Sequence, residues 1–226
     1  MKNVRLLVAG LTVLAAAATA GDARAQSYSF TFGGAGVAGS LTLTYGAGTD
    51  AKYPTGYQIT GISGTFTDTN NGLNIVNASV LGLVPIDRAA PEPTNLLAPN
   101  DFSHYSVASG LPDNRTFLSY DNLFWPGGSP AAATDYPFGG GILDIYGLLF
   151  DIGEGRTVNL WSNGVTPFAP FSYGAAVVTS NAALDYVEGG VQVAVTPEPG
   201  SLVLLGVGSV GLVGVLARRR RAATTA

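Results

Sequence analysis

Residues 57–83 read YQITGISGTFTDTNNGLNIVNASVLGL, two strand-like runs on either side of an Asn-Asn-Gly step. In the first run, Ile59, Ile62 and Phe66 are separated by polar and glycine positions. This pattern is typical of a β-strand with one buried face. An Asn-Gly step between two such runs predicts a β-hairpin, because both residues tolerate the positive φ that a tight hairpin turn requires. The stretch therefore predicts antiparallel β structure.

The same alternation recurs through most of the chain. Eight prolines between residues 85 and 137 predict long loops there, around short strands at 102–108 and 115–124. Tight turns are expected at Gly147 and at 153–155. The other expected strands are 28–32, 41–45, 141–146, 148–152, 157–162, 171–179 and 183–195. The sequence thus predicts an all-β fold, a single jelly-roll-like β-sandwich domain over residues 26–196.

Charge is unevenly distributed along the chain. Its 226 residues have a net charge of −4, but residues 26–196 hold thirteen Asp and Glu against four basic residues, a difference of nine negative charges. The basic residues are Lys52, Arg88, Arg115 and Arg156. Because nucleic-acid binding needs clustered Lys and Arg, nucleic acid is not expected as a partner. The chain has no cysteine, which excludes a disulfide framework and a thiolate nucleophile.

The N-terminus has the pattern of a cleavable signal peptide over residues 1–25. Lys2 and Arg5 precede an apolar run at 6–18, which is too short and too rich in alanine to serve as a permanent anchor. A small-x-small site follows, and cleavage is expected before Gln26, with a second candidate site at 18–20. The expected cleavage residues are Ala23, Ala25 and Gln26.

The C-terminus, residues 197–221, has three features in a fixed order. Pro197-Glu198-Pro199 comes first, then an uncharged span at 202–217, then a cluster of arginines, Arg218, Arg219, Arg220 and Arg221. Each proline fixes its own φ and favours an extended residue before it, so this segment cannot join the helix that follows. The span is expected to form a transmembrane helix, with the arginines kept on the cytoplasmic side.

These three features, in a chain with a signal peptide, closely resemble the PEP-CTERM sorting signal over residues 195–221. The resemblance implies recognition by an exosortase, a membrane peptidase that removes the tail. It also implies a Gram-negative bacterium that makes extracellular polysaccharide and biofilm matrix. One domain name in use for this tail mentions ice-binding proteins, and it describes where the tail was noticed. The expected partners are the exosortase, the membrane before cleavage, and extracellular polysaccharide.

The candidate catalytic groups in the central domain are few. His104 is the only histidine, and Ser103 and Ser106 lie beside it in sequence, although triads are usually assembled from distant segments. A pair of carboxylates could hydrolyse a glycoside, and Asp144, Asp151 and Glu154 are close in sequence. Acidic residues are scattered over the whole domain, so surface solvation is the expected role of these three.

Residues 68–72 begin like a calcium-binding loop. Asp68 and Asn70 are oxygen ligands of the kind Ca²⁺ prefers, but the twelfth position is Ser79 where such a loop carries Glu. A hairpin turn explains the same residues without a metal. No metal, cofactor or catalytic residue is therefore assigned.

Two further patterns are open to a binding or a structural interpretation. Trp125 and Trp161 could form a platform for sugar rings, although buried aromatics more often fill a core. Thr-x-Thr runs at 42–44 and 65–69 could face ice or sugar, or form the polar face of half-buried strands, which is the expected role. The sequence predicts a non-enzymatic structural or adhesive surface protein. The alternative is a carbohydrate-binding module or glycan-active enzyme, and a buried carboxylate pair in a cleft would favour the enzyme.

Overall fold

A computed structural model describes residues 25–86, 106–110, 117–131, 138–165, 172–179 and 182–196. These residues form twelve strands and one 3₁₀ turn, Asn70–Gly72. The strands are β1 (Gln26–Gly34), β2 (Val37–Thr49), β3 (Tyr57–Asp68), β4 (Ile75–Ser79), β5 (Gly82–Leu83), β6 (Ser106–Gly110), β7 (Phe117–Tyr120), β8 (Leu123–Phe124), β9 (Leu148–Gly153), β10 (Arg156–Ser162), β11 (Tyr173–Val178) and β12 (Ala183–Thr196). The expected all-β class is confirmed.

Ten of these strands form one curled antiparallel sheet, in the order β4-β3-β2-β1-β12-β11-β10-β9-β5, with β8 added beside the start of β3. Strands β6 and β7 form a separate hairpin. Within β1–β4 and within β9–β12, strands that are consecutive in sequence are neighbours in the sheet, which differs from the crossing connections of the jelly-roll topology predicted above. The reason is local: tight turns with positive φ join consecutive strands directly, as at Asn71-Gly72 and Glu154-Gly155.

The two halves of the sheet face each other and are joined along both sides. On one side β12 crosses from half to half: it pairs with β11 up to Val191 and with β1 from Gln192 onward. On the other side, the chain between β4 and β5 also crosses from one half to the other. The Val80 backbone N–H donates to the carbonyl oxygen of Gly64 on β3 at 3.0 Å. The Leu81 backbone N–H donates to the carbonyl oxygen of Asp151 on β9 at 2.8 Å. The curled sheet therefore encloses its core.

The core lies between the two halves. Inward positions of β1, β2 and β3 supply Phe30, Leu41 and Phe66, all fully buried. The ring of Phe66 meets that of Phe150 from the opposite half edge-on, with centroids 6.2 Å apart. Each such side chain stabilises the fold by roughly 1.5–3 kcal/mol through burial. Because the chain has no disulfides, burial of this core must stabilise the domain.

A second, smaller core covers the outer face of β9–β11. Leu118 and Tyr120 of β7 pack there against buried residues that include Leu149, Trp161 and Val178. Because both faces of β10 and β11 are covered, consecutive residues in these strands are buried and the usual alternation of buried and exposed positions is missing.

The outer face of β1–β3 has a different composition. Its outward positions within 27–33, 38–44 and 61–67 are all Ser, Thr, Gly or Ala.

Two expectations about strands are corrected. Residues 141–146 form a bent loop and no strand, because the Asp144 carboxylate caps a turn there by accepting backbone N–H groups. Residues 73–83 form two strands, β4 and β5, because the chain passes between the halves of the sheet at Val80 and Leu81, whose N–H groups donate to Gly64 and Asp151.

The expected signal peptide and tail helix lie outside the described residues. No helix long and apolar enough to cross a membrane occurs in the part of the chain that the structure describes.

Candidate functional site

The most unusual chemistry in the described structure is a pair of buried carboxyl groups, Asp121 and Asp144. Asp121 follows β7 and Asp144 lies in the loop before β9, and the backbone N–H groups of Asp121 and Asn122 both donate to the carbonyl oxygen of Gly147. Each carboxyl also holds its own turn. Asp121 Oδ1 accepts from the backbone of Leu123 at 3.1 Å, and Asp144 Oδ1 accepts from Tyr146 at 2.9 Å and Gly147 at 3.1 Å.

The remaining oxygens of the pair, the two Oδ2 atoms, are buried and have no hydrogen-bond partner. The two carboxyls lie close enough together that each affects the pKa of the other. Burial is the main cause that raises the pKa of Asp121 well above its usual value, with the charge of Asp144 adding to it. Burial raises the pKa of Asp144 to about 6, against the backbone donors that lower it. Because two buried like charges are costly, the raised pKa values favour one proton on the pair, carried by Asp121.

A glycosidase needs two carboxyl groups that both reach the sugar. Retaining enzymes hold their two carboxyl groups about 5 Å apart and inverting enzymes about 6.5–9.5 Å apart, with the sugar between them. Here the Oδ2 atoms of both carboxyls have no exposed surface, although Asp121 is among the residues that line the cleft described next. The pair links two loops by holding a turn in each.

A cleft of about 500 Å³ lies beside the pair. One wall is apolar and includes Leu83, Val84, Pro85 and Ile86, and the polar lining includes Asp50, Gln58, Thr60 and Asn122. The fold already uses several of these polar groups. The Asn122 amide donates to the Val84 carbonyl at 2.8 Å and accepts from Leu149 N–H at 2.9 Å. Asp50 Oδ1 accepts from the backbone of Lys52 and Tyr53.

A second carboxyl pair, Asp68 and Asp185, joins the turn after β3 to β12. Asp68 Oδ1 accepts from the backbone N–H of Asn70 at 2.8 Å, while its Oδ2 is buried without another partner. Asp185 accepts from the side-chain amides of Asn70 at 3.0 Å and Asn71 at 2.6 Å. The pKa of Asp68 is raised to about 6, mainly by burial and also by the neighbouring Asp185, against the Asn70 backbone N–H that lowers it.

The carboxylates singled out from the sequence are not brought together. Asp144 is buried beside Asp121, whereas Asp151 Oδ1 accepts from the backbone of Gly153 at 2.6 Å, and Glu154 is exposed in the next turn, where it pairs with Arg156. His104 and Ser103 lie outside the described residues, and Ser106 begins β6. Among the described residues, no group of three or more His, Cys, Asp or Glu is placed to hold a metal.

The two tryptophans are buried, as the core interpretation predicts. Trp125 is 0% exposed and Trp161 is 4% exposed. The indole N–H of Trp161 donates to Asn163 Oδ1 at 3.0 Å, and its ring stacks on Tyr186 with centroids 5.5 Å apart. The threonines at 42, 44, 65 and 67 lie half-buried on the outer face of the sheet, as expected for a polar face, and Thr69 lies in the turn.

The two predicted processing sites adjoin the first and the last strand of the described structure. Gln26 is the first residue of β1 and lies opposite Tyr45. Thr196 is the last residue of β12, directly before Pro197, and lies opposite Ser29. The other processing residues are outside the described residues: Ala23, Pro197, Glu198, Pro199, Arg218, Arg219, Arg220 and Arg221. Ala25, the first described residue, is exposed.

One comparison with known proteins gives a match. Residues 195–221 match the family model described as the PEP-CTERM protein-sorting motif. No curated protein and no solved structure matches the chain. The match starts on the last two residues of β12, so the sorting motif is attached directly to a strand in the middle of the sheet.

Proposed function

We propose that the β domain of this exosortase-sorted extracellular protein is a non-enzymatic structural or adhesive component of the extracellular matrix. The premise is the PEP-CTERM motif that the chain carries. The proposed route begins with export through the signal peptide at 1–25, in a Gram-negative cell. The helix at 202–217 then anchors the protein in the inner membrane until the exosortase cuts near Pro197-Glu198-Pro199. The motif at 195–221 is the observation that carries this proposal.

A structural role is supported by how the described acidic groups are used. Asp121, Asp144 and Asp68 hold turns by accepting backbone hydrogen bonds, and Asp185 binds the side chains of the turn beside it. A catalytic acid or base must reach its substrate within hydrogen-bond distance, directly or through one water. Groups enclosed within the fold do not meet that requirement.

An adhesive role is supported by the outer face of β1–β3, called here the hydroxyl face, at the outward positions within 27–33, 38–44 and 61–67. None of these positions is charged, although the domain as a whole is strongly acidic. Hydroxyls on neighbouring strands are in register, and Ser29 Oγ and Thr42 Oγ1 are 2.9 Å apart. Such a face offers many donors and acceptors to a neutral, hydroxyl-rich polymer at little cost in side-chain entropy.

The adhesive role is tested by charging the hydroxyl face. The double variant Thr42→Lys and Thr65→Lys places two ammonium groups on it, and Val165→Lys places one at an exposed loop position as a control. The measurement is the fraction of mature protein retained in washed extracellular matrix. Retention should fall several-fold in the double variant and stay unchanged in the control. Equal retention in all three proteins would exclude the face as the adhesive surface.

A carbohydrate-binding module is the second candidate, and the cleft beside Asp121 is the observation that favours it. Its lining combines an apolar wall with Asp50, Gln58 and Thr60, a mixture that suits a sugar ring and its hydroxyls. A glycan-array screen of the exported protein and of a Gln58→Ala variant tests this candidate. Binding that weakens in the variant would place a glycan in the cleft, and no binding would leave the structural role.

A further inference from the structure

The turn after β3 brings several oxygen-bearing side chains to one point. Asp68 ends β3 and is 0% exposed, and Asn70 and Asn71 follow in the 3₁₀ turn. Asp185 arrives from β12, 5% exposed, and accepts from both asparagine amides. The sequence pattern at 68–72 resembles the start of a calcium loop but lacks an acidic residue at Ser79. In the folded chain, Asp185 supplies a second carboxylate from a distant strand.

The neighbouring carboxyl groups of Asp68 and Asp185 repel each other when both are charged. Asp68 Oδ2 is buried with no hydrogen-bond partner, and the Asp185 carboxyl is close enough that its charge acts on Asp68. The basic side chains that the structure describes are occupied elsewhere: Lys52 lies over the ring of Tyr53 and Arg156 pairs with Glu154. A buried charge pair of like sign is costly unless a cation or a proton lies between the two groups.

The surroundings of this pair differ from those of Asp121 and Asp144. In the latter pair only the two Oδ2 atoms lack a hydrogen-bond partner, and both are buried, which suits a shared proton. Beside Asp68 and Asp185, Thr69 and Asn71 are exposed, so water reaches one side of the cluster. A half-turn of the exposed Asn71 amide would direct its oxygen inward. Asn70 is held in place, since its amide also donates to the carbonyl oxygen of Ala35 at 2.9 Å.

We propose that a divalent cation with the chemistry of Ca²⁺ binds between Asp68 and Asp185. The carboxylates of both residues and the amide oxygen of Asn71 are its protein ligands, and Asn70 positions the turn around it. Ca²⁺ takes six to eight oxygen ligands in flexible geometry, so water on the open side completes its shell. Sites on extracellular modules bind Ca²⁺ with dissociation constants of roughly 10⁻⁴–10⁻³ M, the range expected here.

The site would tie the turn between β3 and β4 to β12, the strand that continues into the sorting motif. It lies at the opposite end of the sheet from that motif, because Asp68 pairs with Val37 at one end of β2 while β12 leaves at the other. Bound Ca²⁺ would therefore stabilise the part of the domain farthest from the tail. The proposal concerns the domain alone and does not depend on its role in the matrix.

The test is a thermal melt of the purified full-length chain in detergent at pH 7.5, with EDTA, CaCl₂ or MgCl₂. At a concentration about 100 times the dissociation constant, Ca²⁺ should raise Tm by roughly 5–10 °C, and Mg²⁺ should have a much smaller effect. Asp68→Asn and Asp185→Asn should each abolish the Ca²⁺ shift. Both variants should still fold in EDTA, because an amide can donate to the carboxylate that remains. Asp151→Asn removes one carboxylate elsewhere and should keep the full shift.

Isothermal titration of Ca²⁺ into the wild-type protein gives a second measurement that does not rely on the variants. One site per chain is expected, with affinity at least about tenfold weaker in Asp68→Asn. Three results would overturn the proposal: equal Tm in EDTA and CaCl₂, a Ca²⁺ shift that persists in both variants, or equal effects of Ca²⁺ and Mg²⁺. A Tm that responds to acid but not to Ca²⁺ would assign the pair to a shared proton instead.

Discussion

Ser29 in β1 lies directly opposite Thr196 in β12. Gln26 is three residues before Ser29, and Pro197 directly follows Thr196, so the two expected processing points lie on neighbouring strands at one end of the sheet. A chain still joined to the tail helix proposed at 202–217 would present this end of the domain to the membrane. The cleft beside Asp121 is near the same end, since its residue Gln58 pairs with Leu123 at the start of β3.

The mature N-terminus is expected at Gln26. Strand β1 begins there and pairs with β2 from that residue onward, so cleavage before Gln26 would remove no residue of the sheet. Mass spectrometry of the exported protein should find Gln26 first, in open or cyclised form. Recovery of surface protein that still carries Met1–Ala25 would contradict the signal-peptide prediction.

Stability should fall as pH rises, because of Asp121 and Asp144. Burial raises the pKa of both groups in the folded protein, Asp144 to about 6, so the folded state binds more protons than the unfolded state above about pH 4. The stabilisation is complete below the unfolded pKa and is lost as pH rises through the folded value. Between pH 5 and pH 8 the free energy of unfolding should drop by on the order of 1–3 kcal/mol, measured by urea denaturation. A flat or rising profile would contradict the shared proton.

Asp121→Asn should remove much of this pH dependence while keeping the fold. Asn retains the oxygen that accepts from Leu123, and its amide donates to Asp144 as the proton of Asp121 does. At pH 8 the variant should therefore be at least as stable as wild type. Asp151→Asn, at a half-buried position on β9, is the control and should keep the wild-type slope. A variant slope equal to that of wild type would show that another group causes the dependence.

Gly64→Ala should destabilise the domain, whereas Gly61→Ala, three residues earlier in β3, should not. Gly64 has φ +142°, and a Cβ there would lie 1.9 Å from the carbonyl oxygen of Ser40, which is backbone and cannot move aside. A Cβ on Gly61 would meet Thr44 at an ordinary 3.5 Å. The expected loss for Gly64→Ala is about 2 kcal/mol or more, against a change within about 1 kcal/mol for Gly61→Ala. Urea denaturation of both variants measures the difference, and equal stabilities would contradict the register of β2 and β3.

Features of the fold that depend on neighbouring residues could be predicted from the sequence. The hairpin at 57–83 and the turn at 153–155 follow from residues that tolerate positive φ, and β9–β12 follow from apolar runs between such turns. Residues 141–146 have the composition of a strand, and they were wrongly predicted because the Asp144 side chain competes for the backbone N–H groups that a strand would use.

Features that depend on long-range contacts could not be predicted. Asp185, which acts on the pKa of Asp68, is more than 100 positions away in sequence. Asp121 lies near Asp144 because its loop donates two backbone hydrogen bonds to Gly147, in the loop of Asp144. The second core exists because β7 packs on the outer face of β10 and β11, and no periodicity within these strands indicates that contact. The processing motifs show the opposite behaviour. Their chemistry is contained in a short contiguous stretch, so the sequence indicates them directly.

We expect cleavage by an exosortase to depend on an extended, accessible segment at Pro197-Glu198-Pro199, and the most direct test is to remove both prolines. In the double variant Pro197→Ala and Pro199→Ala, the tail helix can extend backwards, with a gain of roughly 3 kcal/mol for each proline removed from a helix interior. Pro54→Ala with Pro126→Ala, two exposed prolines of the domain, is the matched control. Cell fractionation and an immunoblot against the domain should show a larger, membrane-bound form for the motif variant, and normal release for the control. Processing of the motif variant at the wild-type rate would contradict sorting by this tail.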